Sequence, residues 1–275
     1  SVVATVTVGG DAVMTNAAQF TLYSGITNAA AVTNFGALLT VGGTLTISTN
    51  SWLYPVSHPT NGGSPLIRTA NLTLLGTNGG ISAYGRGFQG GDGNTANGCG
   101  PGGAPTGSST SGGGSHAGVG SVGSYGTSYG TTIYGNSNAP VHAGSGGART
   151  APSANGGGVI RLEVGKTALL NGMLNANGSI GVAGAGAGGS IYLRCNSLRG
   201  STGILKANGG DCNTAGGAGG GGRIAVYRLT DTTAGLLTVS AEGGAAGFAH
   251  LAGGKGSIVW GVQEQKASGS VFFIR

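Results

Sequence analysis

A repeat of just over thirty residues in the second half of the chain limits the possible folds more than any other feature. Ile160, Ile191, Ile224 and Ile258 occupy the same place in successive units and lie 31, 33 and 34 residues apart. Ile67 aligns with that place in an earlier unit. Such near-constant spacing is typical of a solenoid, in which each unit packs only on its neighbours.

Each unit contains two strand-like segments. After the marker isoleucine, every second residue is apolar, as in Ile160, Leu162 and Val164. The second segment holds a large apolar residue and then, two positions later, an alanine, as in Leu205 and Ala207. A period of two indicates strands with one buried face. We therefore predict an all-β protein, a single right-handed parallel β-helix with 31–34-residue coils and glycine-rich corners.

Glycine accounts for 63 of the 275 residues, and glycine tracts precede the first strand of successive units. In a solenoid these tracts lie beside one another. Segments without Cβ atoms can then pack main chain against main chain in extended, polyproline-II-like layers. A flexible linker is the alternative interpretation. Collagen is excluded, because the tracts have no G-X-Y period and the chain contains only seven prolines.

Two regions depart from the repeat. Residues 1–60 are rich in strand-like segments but do not keep the period, so they are predicted to be an N-terminal capping or assembly region. The solenoid is predicted over residues 61–263, with an insertion at 86–155 that is rich in glycine, serine and tyrosine. Residues 264–275 are predicted to form a C-terminal strand. An insertion of this length is usually functional or a sub-structure of its own.

Charge and termini favour a secreted protein. Charged residues make up only 7% of the chain, and the net charge of +6 comes from scattered single residues. A nucleic-acid-binding protein would concentrate them in a patch, so no nucleic-acid partner is expected. No apolar run is long enough for a transmembrane segment. Because the chain begins at Ser1 without a signal-peptide pattern, we interpret it as a mature secreted chain of the extracellular space or cell surface.

Three cysteines allow one disulfide bond. Cys99 and Cys212 both lie in polar loops rich in glycine and asparagine, and they are the predicted pair. Cys195 occupies an inward strand position and is predicted to be a buried thiol. The cysteines show no metal-ligand spacing, and we expect no metal ion or other cofactor.

The insertion and its entry concentrate the side chains that could bind sugars or transfer protons. These candidates are Tyr84, Arg86, His116, Tyr125, Tyr129, Tyr134, His142 and Arg149. Exposed tyrosines stack on sugar rings and neutral histidine transfers protons, so an extracellular polysaccharide is the candidate ligand. The alternative is that the tyrosines only pack the loop onto the solenoid. A glycoside hydrolase needs paired carboxylates, and the seven acidic residues form no close pair in sequence, so no catalytic residue is assigned.

Several glycine-rich segments resemble glycine-rich parallel β-helix repeat proteins of bacterial surfaces and secretomes. They are GGGSHAGVGS, YGTSYG and APVHAGSGG, together with the units that end in ANG or contain GGGGRIAVY. The resemblance covers residues 62–263. It implies an adhesin, a matrix component or a carbohydrate-associated surface protein, and it carries no catalytic set. We therefore expect a non-enzymatic structural or adhesive protein. The alternative is a carbohydrate-binding or polysaccharide-degrading, lyase-like β-helix protein.

Both chain ends are apolar and strand-like, and open strand edges pair with other chains unless they are capped. We therefore predict end-to-end assembly with further copies of the chain into a filament or surface layer. The predicted assembly residues are Val2, Val3, Val271, Phe272, Phe273 and Ile274. The alternative is that each terminal strand covers the end coil of its own subunit.

Overall fold

The computed structural model describes residues 3–27, 33–92, 96–106, 111–123, 128–148, 154–213, 215–247 and 251–263. These residues form fifteen strands and no helix, hence no helix that could span a membrane. In chain order the strands are β1 (Ala4–Val8), β2 (Ala12–Met14), β3 (Gln19–Tyr23), β4 (Ala37–Ile47), β5 (Trp52–Val56), β6 (Pro65–Leu74), β7 (Gly80–Ser82), β8 (Val159–Leu170), β9 (Met173–Asn175), β10 (Ser190–Arg199), β11 (Ile204–Lys206), β12 (Arg223–Arg228), β13 (Thr230–Asp231), β14 (Thr238–Ser240) and β15 (Ser257–Val262).

The strands form two all-parallel sheets, and the chain alternates between them. Sheet A follows the order β1-β4-β6-β8-β10-β12-β15, with β2 paired to β4 and β13 paired to β10. Sheet B follows the order β14-β11-β9-β7-β5-β3. This topology is that of a parallel β-helix, with seven rungs of sheet A within the described residues, and it confirms the predicted fold class.

The long strands of sheet A bend within their length. The pairing register between β4 and β6 shifts between Val41 and Thr44, and the register between β10 and β8 shifts between Cys195 and Ser197. Bulges of this kind bend a strand. Each of these coils therefore turns once within sheet A before the chain crosses to sheet B.

The predicted inward column of marker isoleucines is confirmed by the strand register. Ile191 pairs with Ile160 on one side and Ile224 on the other, and Ile224 pairs with Ile258. The first three are fully buried, as an inward-facing row requires. The predicted second column is also buried, at Ala176, Ala207 and Ala241.

The predicted position of Ile67 in this repeat is wrong by two residues. Ile67 pairs with Leu162 and not with Ile160. The place of the marker isoleucine in this coil therefore falls on Pro65, the first residue of β6. A shift of two keeps the same side chains inward, so Ile67 remains fully buried. The alternating pattern alone could not distinguish the two registers.

The strands within residues 1–60 belong to the same two sheets as the later strands. Val6 pairs with Leu39, and Leu39 pairs with Ile67, so one inward column runs through both regions. The repeat therefore continues through residue 60. The sequence pattern missed it because the early coils lack the glycine tracts that flag the later ones.

The glycine tracts form a hydrogen-bonded layer and are not linkers. In the tract 219–222, three successive N–H groups donate to three different neighbouring segments, and the fourth N–H group returns to the first of these segments. The pairs are Gly219 to Gly210, Gly220 to Gly114, Gly221 to Gly254 and Gly222 to Ala207. The first and fourth donors reach the same neighbouring segment, 207–210, and a period of three is that of polyproline II. The predicted main-chain packing of the tracts is therefore present.

The insertion supplies further segments of this glycine layer. Its described residues contain no strand, but Gly114 donates its N–H to the Ala185 carbonyl oxygen, and Gly144 donates to Gly157. A Cβ atom on Gly220 would overlap the carbonyl oxygen of Gly118. Main chains this close leave room for glycine alone.

The predicted disulfide bond is not formed, since none of the three cysteines takes part in a disulfide bond. Cys99 packs against the buried cluster that contains Phe88. Cys212 instead forms an isolated parallel β-bridge, through main-chain hydrogen bonding, with Gly181 one coil away. Each member of the predicted pair thus has its own packing environment. Cys195 is fully buried as predicted, and burial raises the pKa of its thiol to about 12.

Candidate functional site

Three of the predicted site residues, His116, Tyr134 and His142, come together where the insertion packs on the glycine layer. The ring centroids of His116 and Tyr134 are 4.8 Å apart, and those of Tyr134 and His142 are 5.9 Å apart. Arg223 completes this polar cluster, because its guanidinium donates two hydrogen bonds to the Tyr134 carbonyl oxygen, at 2.7 and 3.1 Å. Sequence reasoning missed Arg223, whose signal is an arginine directly before a marker isoleucine.

His116 is enclosed and neutral. Its Nδ1–H donates to the Gly188 carbonyl oxygen at 2.8 Å. Burial, with a smaller effect of the positive Arg223, lowers the pKa of His116 to about 3. The Nε2 atom of His116 and the Nδ1 atom of His142 are both buried without a hydrogen-bond partner among the described residues. Burial is also the main reason why the pKa of His142 is lowered.

Tyr134 is held by the insertion itself. Its hydroxyl donates to the Ala143 carbonyl oxygen at 2.6 Å and shares a hydrogen bond of 2.8 Å with Ser145 Oγ. Burial raises the pKa of this phenol, which therefore stays protonated. These contacts favour the packing interpretation of the polar cluster, because the Tyr134 hydroxyl and His116 Nδ1 both bond to other groups of the protein.

The remaining predicted site residues lie apart from the polar cluster. Tyr84 is exposed, and its hydroxyl accepts a hydrogen bond from the Ile180 N–H at 3.4 Å. Tyr129 packs beside Gly112. Two further predicted site residues, Tyr125 and Arg149, lie outside the described residues.

Of the predicted assembly residues, only Val3 is described, and it is exposed. The others, Val2, Val271, Phe272, Phe273 and Ile274, lie outside the described residues.

Arg86 lines an open cavity of about 550 Å³ between sheet B and the start of the insertion, which we call the Arg86 cleft. Its guanidinium lies over the ring of Tyr54, with Cζ 4.3 Å from the ring centroid. The cleft is also lined by Tyr23, Ser57, Gln89, Asp92 and Asn155. Sequence reasoning found Arg86 alone, because Tyr23 and Tyr54 lie in the region interpreted as a cap.

The outer face of sheet A carries a row of polar side chains one rung apart. Arg68, Glu163, Arg194 and Tyr227 follow one another in register. Arg68 Nε and Glu163 Oε2 form an exposed ion pair at 2.6 Å, and the rings of Tyr227 and Tyr192 meet edge to face at 6.1 Å. Exposed pairs contribute about 0–1 kcal/mol. The row is what the solvent face of a solenoid requires, and it indicates no particular ligand.

Within the described part of the chain, no three histidine, cysteine, aspartate or glutamate side chains are grouped so that they could hold a metal ion. No protein-family model, curated protein or solved structure matches this sequence. The function is therefore argued from the geometry of the chain itself.

Proposed function

We propose that this chain is an extracellular structural and adhesive β-solenoid protein whose copies assemble end to end. One observation carries the proposal: within the described residues, the core columns end at both terminal rungs on exposed apolar side chains. Ile258 and Trp260 of β15 are 43% and 41% exposed, whereas Ile224 and Val226, their partners one rung earlier, are fully buried. At the other end, Val6 of β1 is 38% exposed.

The two end rungs are complementary in direction and register. Among the described strands, β1 pairs only with β4 and β15 only with β12, so each keeps one unpaired edge. The column that begins at Val6 is the same column that ends at Trp260. A second copy stacked on β15 would add a parallel rung and cover Trp260. Such head-to-tail contacts do not close, so they produce fibres.

Sedimentation velocity over a range of concentrations, with electron microscopy, tests the assembly. We expect the sedimentation coefficient of the wild-type protein to increase with concentration, and we expect fibres in the micrographs. Val6→Lys and Trp260→Lys place a charge on the end rungs and should keep the protein monomeric. Ile133→Lys, on an exposed side chain of the insertion, is the matched control and should still assemble. A wild-type protein that stays monomeric and forms no fibres at high concentration refutes the proposal.

The adhesive part of the proposal rests on the Arg86 cleft. Its tyrosine, arginine, amide and carboxylate side chains are of the types that bind sugar rings and their hydroxyls. A lyase-like role would instead use His116 or Tyr134 as a base. The full burial of His116 disfavours contact with a polymer, and the raised pKa of Tyr134 keeps its phenol protonated. Incubation with uronate polysaccharides, followed by absorbance of unsaturated products, distinguishes the two. Turnover that is lost in His116→Gln would favour the enzyme.

A further inference from the structure

We infer that the Arg86 cleft binds a saccharide that carries a carboxylate, such as a uronic acid unit of an extracellular polysaccharide. This inference deepens the adhesive part of the proposed function and is independent of end-to-end assembly. It names the chemical class of the ligand and the side chains that would select it.

The main chain on the Arg86 side of the cleft is fixed. The Arg86 carbonyl oxygen accepts from the Ser57 N–H at 2.9 Å, and the Arg86 N–H donates to the Ala83 carbonyl oxygen at 3.1 Å. The N–H groups that follow are bonded to the glycine layer and to neighbouring loops. They are Gly87 to Gly156, Gln89 to Pro59, Gly90 to the Asn155 side chain, and Gly91 to Gly147. A site on so constrained a main chain is largely formed before a ligand binds.

The guanidinium of Arg86 contacts an aromatic ring but has no hydrogen-bond acceptor among the described residues. Its Cζ atom lies 4.3 Å from the centroid of the Tyr54 ring, a cation–π contact that holds it at the edge of the cleft. Among the described residues it forms no ion pair, whereas Arg68 and Arg228 are paired with carboxylates. Its donor groups are therefore available at the edge of the cleft. A planar guanidinium matches the two oxygens of a carboxylate with two parallel hydrogen bonds.

The other side chains of the cleft suit the rest of a sugar ring. Tyr23 is 68% exposed, so its ring can pack against the apolar face of a pyranose. Gln89 and Asn155 offer amide groups, and Asp92 offers acceptors for hydroxyl donors. Ser57 is buried at the cleft wall, and its hydroxyl has no hydrogen-bond partner in the described part of the chain. A volume of about 550 Å³ lies within the usual range of small-ligand sites.

These features favour a carboxylated sugar over a neutral sugar or a free anion. A neutral sugar would leave the Arg86 guanidinium without an acceptor. A free sulfate ion would make no use of the exposed Tyr23 ring, and it has no hydroxyl group to donate to the Asp92 carboxylate. Only a ligand with a carboxylate, hydroxyls and a ring face uses all three kinds of contact.

Isothermal titration calorimetry on the full chain tests the inference, with trigalacturonate, its methyl ester and inorganic sulfate as probes. We expect trigalacturonate to bind, with an affinity that falls as salt is added. The methyl ester keeps the rings and loses the charge, so it should bind about tenfold more weakly or worse. Sulfate should not compete at equal concentration.

Variants assign the binding to this cleft. Arg86→Gln and Arg86→Lys should each lose about tenfold or more in affinity for trigalacturonate, since lysine keeps the charge but not the planar fork. Tyr23→Ala should also weaken binding, and thermal melts will verify that each variant is folded. Arg194→Gln, on the outer face of sheet A, is the matched control. The inference would be overturned if trigalacturonate did not bind, if the acid and its methyl ester bound equally well, or if Arg86→Gln kept the wild-type affinity. These outcomes do not depend on whether the protein assembles end to end.

Discussion

His116 donates a hydrogen bond from Nδ1 to the carbonyl oxygen of Gly188, so a side chain of the insertion is anchored on the glycine tract of the next coil. The ring is wholly buried, and its second nitrogen has no partner among the described residues. A proton added to that nitrogen would place a buried positive charge near the positive Arg223, which burial and like-charge repulsion both oppose. This contact therefore makes the packing of the insertion sensitive to acid.

We expect the free energy of unfolding to decrease as the pH falls. The pKa of His116 is about 3 in the folded state and 6.5 in the unfolded chain, so the unfolded chain binds the proton more tightly. Stability is therefore lost progressively from pH 6.5 down to pH 3. At pH 4 the loss due to His116 is about 3 kcal/mol. Urea denaturation at several pH values measures it.

The variant His116→Asn isolates the contribution of His116. It should lessen the decrease in stability between pH 6.5 and pH 4, because one of the two histidines with a lowered pKa is gone while the other, His142, remains. The prediction fails if His116→Asn and the wild-type protein lose stability in parallel.

The glycine layer predicts an unusual sensitivity to alanine. Gly220→Ala should lower the free energy of unfolding by about 1–3 kcal/mol or more, because its Cβ atom would overlap the Gly118 carbonyl oxygen. Gly10→Ala is the matched control, since a Cβ there meets no atom within 4 Å, and it should change stability by less than about 0.5 kcal/mol. Thermal and urea unfolding compare the two. Equal effects would mean that the tract is not packed as described.

The inward column predicts a cost for shortening Leu162. This side chain is 1% exposed and is paired with Ile67 and Leu193 in the core. Leu162→Ala should destabilise the fold by about 2–5 kcal/mol, through lost burial and a residual cavity. Val13→Ala, on a side chain that is 64% exposed, should have little effect in the same urea titration. A neutral Leu162→Ala would contradict the assigned register.

The different burial of Cys99 and Cys195 predicts a fixed order of thiol labelling. Cys99 is half-buried and should react first with a thiol reagent in the folded protein. Cys195 should react only after unfolding, because it is fully buried and burial raises its thiol pKa to about 12. Mass spectrometry of the unreduced protein, digested with all thiols blocked, checks the pairing. A peptide linking Cys99 to Cys212 would contradict the structure.

The periodic part of the fold was predictable from sequence, and the reason is local. Ile160, Ile191 and Ile224 recur because each coil buries the same position, so spacing and alternation together define both the strands and the column. The position of Ile67 could not be fixed in this way. Registers two residues apart bury the same face, and only the full set of pairings along β6 distinguishes them.

The candidate site was predictable only in part. His116, Tyr134 and His142 were found because the insertion concentrates such residues, but burial decides their role, and composition carries no information on burial. The contact between Arg86 and Tyr54 joins residues on consecutive coils. Such neighbours follow from the length of each coil, which the sequence of the early coils did not reveal.

The glycine layer is held together by main-chain hydrogen bonds to several neighbouring segments, and this has a thermodynamic consequence. A layer joined through main-chain groups adds thickness to the molecule while burying little apolar surface, so its unfolding exposes mainly polar atoms. Exposed polar surface lowers the heat capacity of unfolding, whereas apolar surface raises it. The stability of this molecule should therefore vary less with temperature than that of a domain of equal size with an ordinary core. It should be retained in the cold, where hydrophobic stabilisation weakens.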